Sequence, residues 1–192
     1  MPADPFTAAG YRDLIAALRL QILDTGGIRP IALLDGGSGA GKSTLATPLA
    51  ASLDAELVRL DDLYPGWDGL EAGSRAVTRE IIPDGRWRRW DWAADAAGPW
   101  ELLDPTRPLV VEGCGALSVA ARDMATFGIW IELGADERRR RAIARDGDAY
   151  APHWERWARQ EERFCRREHP DLIADVVIDG DLIPWSADGR PR

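Results

Sequence analysis

Lysine is almost missing from this chain. Of 24 basic residues only Lys42 is a lysine, and the rest are arginine. Histidine is nearly as scarce. His153 and His169 have no partners at metal-ligand spacing, so neither is assigned a role. The two cysteines, Cys114 and Cys165, form no CxxC pair and cannot make a disulfide framework, which fits a reducing compartment. No apolar run approaches the ~20 residues of a membrane span. The opening MPADPFTAAG lacks the basic and apolar regions of a secretory signal. Positive charge is also short: the net charge is −8 and the pI is about 4.8. That balance excludes a non-specific nucleic-acid binder. A cytoplasmic protein with no membrane or nucleic-acid partner is expected, and a homo-oligomer stays open.

The 192 residues suit one domain with a sizeable core. Apolar runs at Ile31–Leu34, Leu57–Leu60, Leu109–Val111, Ile129–Leu133 and Val176–Ile178 read as five buried strands. Helical spacing marks Tyr11–Leu23, Lys42–Leu53, Leu70–Ile82, Asp136–Arg145 and Trp154–Glu168. Strands alternating with helices predict an α/β fold with a parallel sheet covered on both faces. The segment Gly85–Leu103, rich in tryptophan and arginine, is not assignable from pattern. The last residues, Trp185–Arg192, read as a loose tail.

The lone lysine sits in Gly36-Gly37-Ser38-Gly39-Ala40-Gly41-Lys42-Ser43, a full match to G-x-x-x-x-G-K-[ST] between a strand and a helix. Glycines let the backbone curl so that its amides face phosphate oxygens. The helix N-terminus adds positive potential. Lys42 supplies a compact point charge to the β and γ phosphates, a task the planar arginine fork does not share. Ser43 would ligate Mg²⁺, and Thr44 would reach the α-phosphate. The expected ligand is therefore a nucleoside triphosphate, with ATP the first expectation.

Asp61-Asp62 ends the second strand and Glu112 the third, where open α/β sheets bind ligands. Phosphoryl transfer to a hydroxyl needs a carboxylate near the nucleophile and an acidic anchor for the metal. One of the two aspartates could instead cap the turn before Pro65-Gly66, and the sequence leaves open which is the base.

Here a resemblance enters. Leu60-Asp61-Asp62-Leu63-Tyr64 resembles the Asp-x-Phe-Tyr segment of the uridine kinase family, in the P-loop kinase group with phosphoribulokinase and bacterial pantothenate kinase. Val110-Val111-Glu112-Gly113 with Ala116-Leu117 is similar to that family's Val-x-x-Glu-Gly-x-x-Ala-Phe. Trp90-Asp91-Trp92 resembles its Tyr-Asp-Phe, DERRRRAIARD (136–146) the start of its lid helix, and Ala174–Ile178 its final strand.

The resemblance implies a single P-loop NTPase domain over 1–192. Its architecture would be a three-layer sandwich with five parallel strands in the order 2-3-1-4-5, with a short helical lid and the helix that follows it at about 136–168. It implies Asp61 as base, Tyr64 in the acceptor pocket, Asp91 against the acceptor and Glu112 on Mg²⁺. Arg141 and Arg145 would be the lid arginines that neutralise the triphosphate.

Helical spacing also aligns Arg138, Arg141 and Arg145 on one face, where a solvated stripe is the alternative. After Tyr64 the family's His-Pro segment is replaced by PGWDGLEAGSRAV, and the lid is short, so uridine specificity is not implied. Tryptophans 67, 87, 90, 92 and 100, among Arg86, Arg88 and Arg89, would either stack on and grip an acceptor or build a satellite core. Trp90 and Arg86 are the candidate contacts.

The expected activity is transfer of the γ-phosphoryl of ATP to a hydroxyl, with a nucleoside the first acceptor. A different metabolite, a natural product, a nucleoside monophosphate held by those arginines, or a partner-dependent ATPase are the alternatives.

Overall fold

The computed structural model describes residues 8–26 and 28–184, so the predicted tail at 185–192 lies outside the described residues. The chain opens with helix α1 (Ala8–Asp24), then strand β1 (Ile31–Gly36), helix α2 (Lys42–Leu53) and strand β2 (Glu56–Arg59). Helix α3 (Leu70–Ala76) runs through a π-helical turn at Val77–Ile81 into a last turn, α4 (Ile82–Asp84). Strands β3 (Arg86–Asp91), β4 (Ala96–Leu102) and β5 (Leu109–Glu112) follow, then α5 (Val119–Met124) and β6 (Phe127–Glu132). Helix α6 (Ala135–Asp146), two 3₁₀ turns around Tyr150, α7 (Trp154–Glu168), α8 (Pro170–Ile173) and β7 (Val176–Asp179) complete the path.

The main sheet has five parallel strands in the order β2-β5-β1-β6-β7. Counted among themselves these strands run 2-3-1-4-5, as expected. Strand β1 is buried along its whole length, because helices cover both faces. Its side chains alternate: Leu33 joins a core with Val58, Val111, Tyr64, Leu70 and Trp157, while Ala32 and Leu34 join another with Ile22, Leu45, Leu49 and Val110. The second core sits under α1 and α2, and Tyr11 Oη donates to Thr44 O across them at 2.7 Å.

The unassigned segment 85–103 is an antiparallel β3–β4 hairpin with an irregularity between Arg88 and Trp90. Both faces are largely exposed, apart from Trp87. No in–out alternation of polarity exists there for a sequence reading to find. Among the described residues no helix is long and apolar enough to cross a membrane.

Candidate active site

Strand β1 ends on Asp35-Gly36 and the chain turns through the glycine loop into α2. Lys42 Nζ folds back to donate to Gly36 O at 2.8 Å, Gly37 O at 3.1 Å and Cys114 Sγ at 3.3 Å. Burial alone would lower the pKa of this amine. The acidic neighbours Glu112, Asp61 and Glu161 outweigh it and push the pKa above the ordinary lysine value, so Lys42 is charged. The amides of Lys42, Ser43 and Thr44 donate to no acceptor among the described residues. Together they form a positive, unsatisfied helix N-terminus that suits an anion.

Behind the loop, the buried Asp35 carboxylate accepts from the amides of Gly36 (2.7 Å), Gly115 (3.0 Å) and Leu117 (2.9 Å). Burial raises its pKa to about 6 against those bonds. It ties the end of β1 to the loop after β5, and nothing in the sequence pattern singled it out.

Ser43 Oγ donates to Glu112 Oε1 at 2.7 Å, and Arg59 Nε stands 3.7 Å from the same oxygen. Burial, then repulsion from Asp61, lifts the Glu112 carboxyl to about 7. A buried carboxyl whose pKa is raised by burial and by a neighbouring carboxylate, bonded to a serine hydroxyl, is a donor pair that fits Mg²⁺. Among the described residues no group of three or more His, Cys, Asp or Glu gathers to hold a metal. A magnesium ion here would rest on Ser43, Glu112 and the phosphates themselves.

From the loop a cavity of about 300 Å³ extends along the carboxyl ends of the strands. Its P-loop end is lined by Ser38, Gly39, Gly41, Lys42, Ser43 and Thr44. Gly36, Gly37 and Ala40 shape the loop from outside the lining; Ala40 is packed in the α2 core. Asp61 faces into the cavity and its carboxylate makes no hydrogen bond or ion pair among the described residues. Protein crowding raises its pKa, opposed by Lys42 and Arg145. Asp62 instead turns to Arg89 of the hairpin at 3.8 Å.

The far wall is aromatic: Tyr64, Trp67, Trp92, Tyr150 and Trp157. Tyr64 is buried, with its hydroxyl donating to Cys114 O at 2.8 Å. Trp92 Nε1 donates to Asp61 O at 3.1 Å. His153 stacks on Trp67 at 4.2 Å between ring centroids. Trp154 and Trp157 are both buried in the core, and Trp157 also reaches the cavity.

Both lid arginines line the cavity, and both are held by carboxylates. Arg141 is buried between Glu137 Oε1 (2.6 Å) and Asp181 Oδ1 (2.8 Å) and donates to Gly180 O (3.0 Å). Arg145 pairs with Asp146 at 2.8 and 2.6 Å. The third member of the stripe, Arg138, is outside the lining and braces the loop instead. It donates to Ser38 O (3.3 Å) and to the buried Glu161 (2.9 Å), which also accepts from Ser38 N at 2.7 Å and from Cys114 Sγ at 3.2 Å. Glu161 reads in sequence as part of a solvated helix face, and the structure places it under the P-loop. Cys114 is buried with its pKa raised well above the usual thiol value by that burial, so it is a bridging thiol and not a nucleophile.

The hairpin candidates stand apart. Trp90, Asp91 and Arg86 do not line the cavity. Asp91 Oδ1 accepts from the amides of Ala93 and Ala94 in the hairpin turn. Arg86 pairs with Asp84 and lies over the Trp100 ring at 4.8 Å. Arg88 donates to Gly98 O and Arg89 to Glu101, so these arginines grip the hairpin itself.

No protein-family model and no curated protein sequence matches the chain. Solved structures do. One, described as a possible uridine kinase from Bacillus stearothermophilus, is 19% identical with a TM-score of 0.63, covering 88% of this chain and all of the other. A second, described as a fructose transport system kinase from Silicibacter sp. TM1040, is 19% identical with a TM-score of 0.51, covering 85% and 98%. At that identity the likeness shows the fold alone, an α/β architecture shared with these two structures.

Proposed function

We propose that this protein is an ATP-dependent kinase of the cytoplasm that transfers the γ-phosphoryl group to a hydroxyl of a small molecule, with a nucleoside as first candidate. The observation that carries this reading is the single cavity joining the P-loop to an unpartnered carboxylate and an aromatic wall. A nucleotide-hydrolysing switch has no need of such a second compartment. The aromatic surface suits a flat ring. A monophosphate acceptor is less well served, because Arg86 holds Asp84, Arg88 holds Gly98 O, and Arg89 holds Glu101 and Asp62.

Lys42 and the α2 amides hold the β and γ phosphates, and the brace of Glu161 and Arg138 keeps the loop in shape. Mg²⁺, when bound, supplies positive charge that neutralises the phosphates. Asp61 lies where it can orient the acceptor hydroxyl and take its proton, its negative charge sustained by Lys42 and Arg145. Arg141 and Arg145 face the phosphates, positioned by Glu137, Asp181 and Asp146.

The deciding experiment is ADP release from Mg-ATP with and without pooled nucleosides, nucleoside monophosphates, sugars and pantothenate-like alcohols. Release that depends on one pool establishes a kinase and its acceptor class. Release that no pool changes removes the acceptor reading and leaves an ATPase.

A further inference from the structure

Tyr150 belongs to no motif. It sits between the two 3₁₀ turns that join α6 to α7 and is only 5% exposed. Its ring is fixed on two sides, stacked on Trp67 at 5.5 Å and 17° and edge-on to Trp154 at 5.8 Å and 75°. Yet its hydroxyl has no hydrogen-bond partner. A buried phenol nearly always finds one, so an orphan asks for an explanation. The other such atom among the described residues, Trp90 Nε1, is on the hairpin, outside the cavity lining. Tyr150 is in that lining.

Its surroundings identify the place. The Ser38 side chain, in the P-loop, stands near enough to favour the ionised phenol as a hydrogen-bond neighbour, though too far or too poorly aligned to satisfy the hydroxyl. Asp61 and Arg145 also interact with it electrostatically. P-loop, Asp61 and Arg145 therefore line one cavity with an immobilised O–H. Burial pushes the phenol's pKa far above its ordinary value, so the group keeps its proton and can only donate strongly.

We propose that Tyr150 is a further catalytic residue, whose hydroxyl donates a hydrogen bond to the γ-phosphoryl group as it passes from ATP to the acceptor. This rests on the kinase reading above. In the step, the bond from the γ-phosphorus to the β–γ bridging oxygen breaks and its electron pair leaves with ADP. The acceptor oxygen bonds to the phosphorus and gives its proton to Asp61. Tyr150 exchanges no proton. A donor left without a partner until the phosphoryl group arrives spends nothing on reorganisation in the transition state.

The test is Tyr150→Phe, which removes one hydroxyl and keeps the stacking ring. Three outcomes are expected together. The nucleotide-free variant melts about 2–4 °C higher, because it no longer buries an unsatisfied donor. Acceptor-dependent kcat falls on the order of 10²-fold with KM for ATP nearly unchanged. Retention of Mg-ADP in the presence of aluminium fluoride, a mimic of the moving phosphoryl group, weakens while retention of Mg-ADP alone does not.

If the variant melts lower and keeps wild-type kcat and fluoroaluminate binding, the hydroxyl has a structural partner and the proposal is overturned. If the variant matches wild type in all three measurements, it is overturned as well. If the wild type itself binds no ADP or ATP, the kinase reading falls, and this inference falls with it.

Discussion

The two ends of the cavity are built in opposite ways. The P-loop end comes from nine consecutive residues, Gly36 to Thr44, where one turn and one helix start supply amides, ammonium and hydroxyl together. The aromatic end is gathered from Asp61, Tyr64 and Trp67 after β2, Trp92 on the hairpin, Cys114 after β5, and Arg145, Tyr150 and Trp157 on and after α6. A contiguous site depends on local backbone geometry. A gathered one depends on every packing contact that brings distant segments together, so its chemistry can change by substitution while the P-loop end stays the same.

The sharpest way to break this comparison is at Lys42. Lys42→Ala should abolish measurable Mg-ATP binding, a loss on the order of 10³-fold or more, read by tryptophan fluorescence or calorimetry. Binding at wild-type strength would remove the P-loop end from the account. Next comes Asp61→Asn, expected to lower kcat by 10²- to about 10⁴-fold while ATP binding is kept. If Asp62→Asn has that effect and Asp61→Asn does not, the two aspartates exchange roles.

Glu112 offers a thermodynamic test. Its pKa, raised to about 7 from 4.5, means that the folded state holds a proton the unfolded chain has released. Its share of stability is therefore intact below pH ~4.5 and is lost as pH rises to ~7, by about 3 kcal/mol at most. Glu112→Gln should match wild type in urea unfolding at pH 4.5 and be more stable at pH 8, both without nucleotide or Mg²⁺. Equal curves at pH 8 would show that Ser43 and Arg59 already compensate the buried charge. The smallest effect is expected at Arg86→Ala: a change under about twofold in kcat and within ±0.5 kcal/mol in stability, because its exposed pair with Asp84 lies outside the cavity. A larger kinetic loss would bring the hairpin into the acceptor site.

The same contrast explains what the sequence could disclose. The strands of the sheet and the P-loop were legible because each rests on local signals: an apolar run, a glycine turn and a helix start; the strand order came only with the family resemblance. The hairpin was not, since RWRRWD exposes both faces and carries no polarity period. Glu161 and Arg138 were obscured by neighbours of the same type. Only tertiary packing separates the one arginine that braces the loop from its solvated companions, or one buried carboxylate from Glu162 beside it. Trp67 and Trp92 were noticed as candidates without a location. Tyr150 gave no signal, because an orphaned hydroxyl is a property of surroundings and not of spacing.

Arg138 also changes what two glycines are for. A methyl group on Gly37 would come within 2.1 Å of the Arg138 guanidinium, and one on Gly39 would meet the Arg138 carbonyl oxygen at 2.1 Å. The loop is thus a packing seam against α6. A descendant of this chain that made no use of nucleotides would still be held to Gly39, where the obstacle is backbone and φ is +83°, while at Gly37 the flexible guanidinium can swing aside. Position 42 would be slow to change as well, because the buried Lys42 amine donates to Gly36 O, Gly37 O and Cys114 Sγ, so a retained lysine alone would not separate a working site from a relic.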